Sequence, residues 1–400
     1  MPSSLLARTA RPARPARPLR PARRRAAFAT LAAGATLVAG LVAAPAAQAA
    51  PGTSCTGSTV HGSAVQDGST WRAYRGTREL WSGSDMLTAI QRAVDGLDAG
   101  RTSKQRVVVN GSGTMSANAR ITLPSHTAFE SCGTIHVSGS GSGNVAGIYM
   151  RGVRDIEVAR LAMTGTPVYG IFARNVDDLR LRDVDMRLSG GGIGIRVDNH
   201  GDRSRFARNI SIDRAYVSGA GSHAVETYGV DGFTLGTLTA RDVRESGLLL
   251  NQTINARVGT VDAVNAGAGT GYAAFRIANR AGRVGSSYPT NIEVGTVRAS
   301  GGGRGIFCVS ESGGLRVNRV ELTNTGNNPV LIENCTNVSL ATTSGTVSRG
   351  DVRLAERADF PGNRDITLQN LTLSNGARIV ESPCADNLVI RNVSGPVQRC

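Results

Sequence analysis

Apolar residues fall at alternate positions in a short phrase that returns about ten times along this chain. The phrase first reads Ile156-Glu157-Val158-Ala159-Arg160-Leu161, and it starts again at Leu179, Ile210, Phe233, Ala256, Ile292, Leu315, Val338, Ile366 and Leu388. Successive starts lie 23, 31, 23, 23, 36, 23, 23, 28 and 22 residues apart, so the base period is 23 and the longer intervals carry insertions. Alternation with a period of two belongs to strands, because successive side chains point to opposite faces. A fixed longer period signals stacked units, with surplus residues emerging as loops.

A second alternating segment precedes the phrases, as in Gly170-Ile171-Phe172-Ala173, Gly194-Ile195-Arg196-Val197 and Ala224-Val225-Glu226-Thr227. Short strands in this number per repeat, with Gly, Asn, Ser and Asp at the corners, predict an all-β chain. The expected fold is a right-handed parallel β-helix solenoid of about ten turns. A leucine-rich repeat of the same period is disfavoured, since its fixed Leu and Asn positions are missing and no unit carries a helical pattern.

Ahead of the repeats, Ser84-Asp85 followed by Leu87, Ile90, Val94 and Leu97 reads as an N-capped amphipathic helix. Placed over the open first turn, it serves as an α-helical cap that covers a sheet-like end, with Trp71 and Trp81 packed beneath it. The predicted organisation is therefore a leader over 1–49, an N-terminal segment with the capping helix over 50–105, and the β-helix over 106–400. In the leader, eight arginines between Arg8 and Arg25 precede the apolar run Ala26–Ala44 and an Ala47-Gln48-Ala49 cleavage signal. Arg23-Arg24-Arg25 before that run looks like a twin-arginine export signal. The mature protein is expected to be secreted, with no membrane association once the leader is gone.

Charge matters only after that removal. Of 45 Lys plus Arg against 30 Asp plus Glu, eight arginines leave with the leader, so 37 face 30 in the mature chain. This modest excess is compatible with an anionic polymer as substrate and equally with a solubilising surface. Nucleic acid is not an expected partner: arginines alternate with acids instead of forming a stripe, and aromatics make up 4% of the chain. Six cysteines in an exported chain predict three disulfides. Sequence leaves 15 connectivities open; the preferred set pairs Cys308 with Cys335 and Cys384 with Cys400, which fall in neighbouring turns, and Cys55 with Cys132.

In a parallel β-helix, equivalent positions of successive turns stack about 4.8 Å apart, so chemistry is sought by columns. With Ile171, Ile195, Val225, Leu248, Phe275, Ile306 and Val330 pointing inward, one outward column reads Phe172, Arg196, Glu226, Leu249, Arg276, Phe307 and Leu331. Two positions on, a second reads Arg174, Asp198, Tyr228, Asn251, Ala278, Val309 and Glu333. Arg196, Asp198, Glu226, Tyr228, Asn251 and Arg276 thus share a predicted solvent-facing surface, with His200, His223, Asp202, Arg203, Asn279 and Arg280 at its margins. Such convergence suits a polymer-binding cleft. The alternative is a ladder of mutually neutralising charges. Insertions around 199–208, 267–289 and 349–363 are candidate cleft walls.

On the repeat, the helical cap and the export signal, the chain resembles the pectin-lyase-like superfamily of secreted β-helix polysaccharide lyases and hydrolases. The resemblance is architectural, since Ser222-His223-Ala224 stands where polygalacturonases carry Gly-His-Gly. It implies a secreted enzyme that depolymerises an acidic, uronate-containing polysaccharide. For β-elimination, Arg196 and Arg276 suit the uronate carboxylate and His223 or Tyr228 the base, with His200, Asn251, Asn279 and Arg280 contacting substrate. Asp198, Asp202 and Glu226 are candidate ligands of Ca²⁺, a possible cofactor. For hydrolysis, Asp198 and Glu226 form the carboxyl pair. Elimination is the first expectation and hydrolysis the second; a non-catalytic carbohydrate-binding solenoid is the third.

Overall fold

A computed structural model describes Cys55 and residues 59–400. The predicted export leader, 1–49, lies outside the described residues. The chain winds as a right-handed parallel β-helix whose strands form two long sheets, here sheet A with seventeen strands and sheet B with twelve.

Each turn contributes one short strand to sheet B and, with few exceptions, one long bent strand to sheet A. The bend is visible in burial: within Arg154–Gly165, Ile156 and Val158 face inward, then Ala159 and Arg160 are both part-exposed, and Leu161 and Met163 face inward again. Two adjacent outward residues shift the alternation by one, so a single strand turns a corner and serves two walls. The interior is a set of stacked columns. On sheet B, Ile171, Ile195, Val225, Leu248, Phe275, Ile306 and Val330 lie in direct parallel register, and all are buried. On sheet A, the phrase starts from Ile156 to Leu388 stack in the same way.

The corner before every phrase but the one starting at Ile292 has a left-handed backbone. Asp155, Asp178, Asn209, Asn255, Asn337, Asp365 and Asn387 all have φ between 53° and 59°, and Gly232 and Gly314 occupy the same position with φ of 81° and 69°. Asn and Asp tolerate this region because their side chains bond locally, and Gly because it lacks Cβ. Neighbouring corners are also tied: Asn209 Nδ2 donates to Asp178 Oδ1 at 2.9 Å and Asn387 Nδ2 to Asp365 Oδ1 at 2.7 Å.

The helix Met86–Asp95 closes the first turn, its N-terminus capped by Asp85 Oδ1 accepting from the Thr88 N–H at 2.7 Å. Met86, Ala89, Ile90, Ala93 and Val94 form its buried face; Trp71 is buried in the same cluster and Trp81 packs against it. Before the helix comes an antiparallel meander of Gly62–Asp67, Thr70–Arg75 and Arg78–Gly83, not anticipated from the repeats. Its first strand pairs in parallel with Gln105–Asn110, joining the cap to the solenoid. The disulfides are Cys55–Cys132, Cys308–Cys335 and Cys384–Cys400, as adjacency predicts.

Candidate active site

Sheet B carries the predicted columns in the expected register. Phe172, Arg196, Glu226, Leu249, Arg276, Phe307 and Leu331 are successive partners on the outer face, and so are Arg174, Asp198, Tyr228, Asn251 and Ala278 two positions on. The surface is less open than expected, however. Asp198 is fully buried at 0% exposure and Glu226 retains 6%.

The reason for the burial of Asp198 is a clamp of cations. Arg174 donates to both its oxygens, Nε to Oδ1 at 2.7 Å and Nη2 to Oδ2 at 2.9 Å, while Arg196 Nε donates to Oδ2 at 2.8 Å. Burial alone would raise the Asp198 pKa, but these two guanidiniums outweigh it and hold the carboxyl below its usual range. Arg196 reaches on to Glu226, Nη1 to Oε2 at 2.6 Å, and so links neighbouring strands. Glu226 behaves oppositely: burial, reinforced by the nearby charges of Asp198 and Glu245, raises its pKa despite Arg196 and a hydrogen bond from Asn251.

One strand further, in the turn leading into Leu248–Asn251, stands Glu245. Its carboxylate accepts from Ser222 Oγ and lies 3.2 Å from His223 Nε2; the Tyr272 hydroxyl bonds to it too, which raises the tyrosine pKa. Tyr272 comes from the predicted insertion 267–289. His223 Nδ1 accepts the Ser246 backbone N–H at 3.0 Å. A backbone N–H can only donate, so the imidazole proton resides on Nε2 and is directed at Glu245. Burial lowers the His223 pKa to about 4, against the opposing pull of Glu245, so the ring is neutral at physiological pH. Arg276 lies within electrostatic reach of Glu226 and Glu245, its own pKa lowered by burial.

Several predicted roles change with this geometry. Asp198 is not a solvent-facing carboxylate; it is enclosed and clamped by Arg174 and Arg196. His223 is not an available base, because one nitrogen is occupied by a backbone donor and the other carries the proton. Asn279 is fully buried, its amide exchanging hydrogen bonds with the Gly313 backbone at 3.1 and 3.2 Å, so it secures a corner and is removed from the surface. Arg280 sits on a short 3₁₀ turn, 3.4 Å from Glu311, and its partner belongs to that corner and not to the columns. Arg196 is spent on Asp198 and Glu226.

His200 accepts from Arg196 Nη2 at 3.4 Å and packs edge-on against Tyr228, whose ring lies 5.6 Å from the Arg203 guanidinium carbon. The three carboxylates considered for Ca²⁺ do not assemble: Asp198 is taken by arginines, Glu226 by Arg196, and Asp202 by Ser204. No group of three or more His, Cys, Asp or Glu suited to a metal occurs among the described residues.

Glu245, Ser222, Tyr272 and Arg174 are the members that the candidate set omitted. Arg174 stands in the outward column, opposite Asp198. Glu245 and Ser222 lie in turns just before strands, where the alternation that defines columns no longer applies.

The molecule is thus a parallel β-helix bearing a partly enclosed cluster of acids and arginines on one wall. No family model matches the chain, and no curated protein matches it. Solved structures similar to it include the pre-mature gene product 12 of bacteriophage phi29, at 15% identity and a TM-score of 0.39 over 77% of this chain and 50% of that one. Another is PfbA, a surface adhesin of Streptococcus pneumoniae, at 11% identity and 0.38, over 78% and 90%. A third is the catalytic domain of a GH87 α-1,3-glucanase in complex with nigerose, at 12% and 0.28, over 78% and 66%. The chain spans about half the length of the phage proteins it matches. With every TM-score at 0.39 or below, the functional reading rests on this chain's own residues.

Proposed function

We propose that this protein is an exported glycoside hydrolase acting on a polysaccharide laid across sheet B, with Glu226 as general acid and Glu245 as the second carboxyl group. The observation that carries the reading is the division between these two carboxyl groups. Glu226 is buried and its pKa raised, which favours the protonated form, whereas the Glu245 carboxylate is surrounded by Ser222, His223 and Tyr272 as donors. Environments that separate two neighbouring carboxyl groups assign acid and base. Glu226 then protonates the departing glycosidic oxygen. Glu245 either activates water or attacks the anomeric carbon. The Asp198 clamp holds Arg196, and through it Glu226, in place.

Elimination, the first expectation from sequence, has less support from this geometry because one of its two expected bases, His223, offers no free nitrogen. His223 presents its proton, and Tyr272 donates to Glu245 with its own pKa raised. Three disulfides support export, since such bonds persist in oxidising compartments.

The test is a polysaccharide screen read by reducing-end release and product mass. Saturated products, each bond cleaved with gain of one water, are expected. Glu226→Gln and Glu245→Gln should each lower turnover by about 10²–10⁴-fold with an unchanged far-ultraviolet spectrum. Unsaturated products absorbing in the ultraviolet would instead establish elimination, and binding without turnover by the unmodified protein would establish a carbohydrate-binding solenoid.

A further inference from the structure

Beyond Glu226 along sheet B, the treatment of arginines changes. Arg174 and Arg196 meet carboxylates at 2.6–2.9 Å. Arg276 and Arg304 have no ion pair among the described residues, and the Nε of each is buried without a hydrogen-bond partner. Arg304 is only 6% exposed. Its Nη1 donates to the Thr270 carbonyl, on the same loop that brings Tyr272 to Glu245.

Both guanidiniums converge on one ring, their carbons 5.6 and 5.1 Å from the Phe307 centroid. Burial lowers the pKa of each; for Arg304 the positive charges of Arg276 and Arg353 act in the same direction, against Glu333. Desolvating two like charges side by side is unfavourable unless an anion joins them. Phe307 itself packs with Leu331 and Ala273 in a small apolar cluster on the outer wall. An apolar floor flanked by unpaired cations is suited to a sugar ring that bears a negative substituent.

We propose that Arg276 and Arg304 bind the anionic substituent, a carboxylate or sulfate ester, of a sugar unit packed against Phe307, which makes the substrate an acidic polysaccharide. The inference rests on reading sheet B as a glycan cleft, but not on the reaction performed there.

Equilibrium binding to the full-length Glu226→Gln protein tests it, with oligogalacturonates, the same oligomers after reduction of their carboxyls to neutral alcohols, and sulfated galactan oligomers as probes. At least one anionic series should bind about tenfold or more tightly than the neutral series. Preference for uronates identifies a carboxylate site, preference for the sulfated series a sulfate-ester site, and equal retention of both a site for either anion. Arg276→Gln and Arg304→Gln should each remove the preference while leaving binding of neutral oligomers unchanged, and Arg276→Lys should restore part of it. If Arg304→Gln does not fold, as judged by near-ultraviolet dichroism, the part-exposed Arg276 carries the test alone. Absence of any preference for charged over neutral oligomers, or a preference that survives both substitutions, overturns the proposal. A charge preference in a protein that releases no reducing ends from any polymer leaves this inference standing and removes the hydrolase reading.

Discussion

Asp198 and His223 show how the surroundings of a residue redefine its chemistry. Each is a candidate catalyst by residue type, and each is engaged by its neighbours, Asp198 by two guanidiniums and His223 by a backbone N–H and Glu245. Removing Asp198 strands Arg174 and Arg196 without their shared counter-ion. Asp198→Ala should therefore cost about 3–5 kcal/mol in urea denaturation, the usual penalty for breaking a buried ion pair, and a loss below 1 kcal/mol would show the clamp to be dispensable. His223 makes a pH prediction. Its folded pKa of about 4 lies below the unfolded value of about 6.5, so between these limits the unfolded chain binds a proton that the folded one does not. Its contribution is complete above about pH 6.5 and is lost as pH falls towards 4. Thermal midpoints should decline across that window, and His223→Gln, which keeps one acceptor and one donor, should flatten that part of the decline.

At the scale of elements, the alternation determines which residues leave sheet B outward, and for that reason the register of Arg196, Asp198, Glu226 and Arg276 is legible in the sequence. Turns are different. They follow no period, so Ser222 and Glu245 could be placed only by seeing which neighbouring turn lies beside them. The turns before sheet B are also packed backbone to backbone: a Cβ on Gly221 would run into the Gly191 carbonyl oxygen. Gly221→Ala should push these turns apart and shift Ser222, its neighbour, away from Glu245. Turnover is expected to fall more than global stability, and comparison of kcat with the urea midpoint checks it; equal activity would show that the turn absorbs the methyl group.

For the molecule as a whole, a solenoid is stabilised by contacts between neighbouring turns, with its ends as the weak points. The N-terminal end is covered by the helix Met86–Asp95 and the meander before it, and Cys55–Cys132 ties the leading segment to the early turns. Cys308 and Cys335, both buried, join consecutive turns beside the charged wall across a separation of 27 residues. Replacing both by serine should cost about 3 kcal/mol in urea denaturation, from the loop-closure entropy returned to the unfolded chain. An unchanged midpoint would place the stability of this region in strand packing alone.

From the order of residues alone came the β-helix, the capping helix and the two outward columns, because a strand's period of two and a repeat of fixed length are local rules that survive without knowledge of neighbours. Tertiary structure alone decided which of those outward residues remain usable. Enclosure of Asp198 by Arg174, the fixed tautomer of His223, the arrival of Tyr272 at Glu245 and the absence, among the described residues, of an ion pair for Arg276 and Arg304 all depend on groups brought together from different turns. Burial and partnership, which set charge state and reach, are properties of that assembly and not of any one strand.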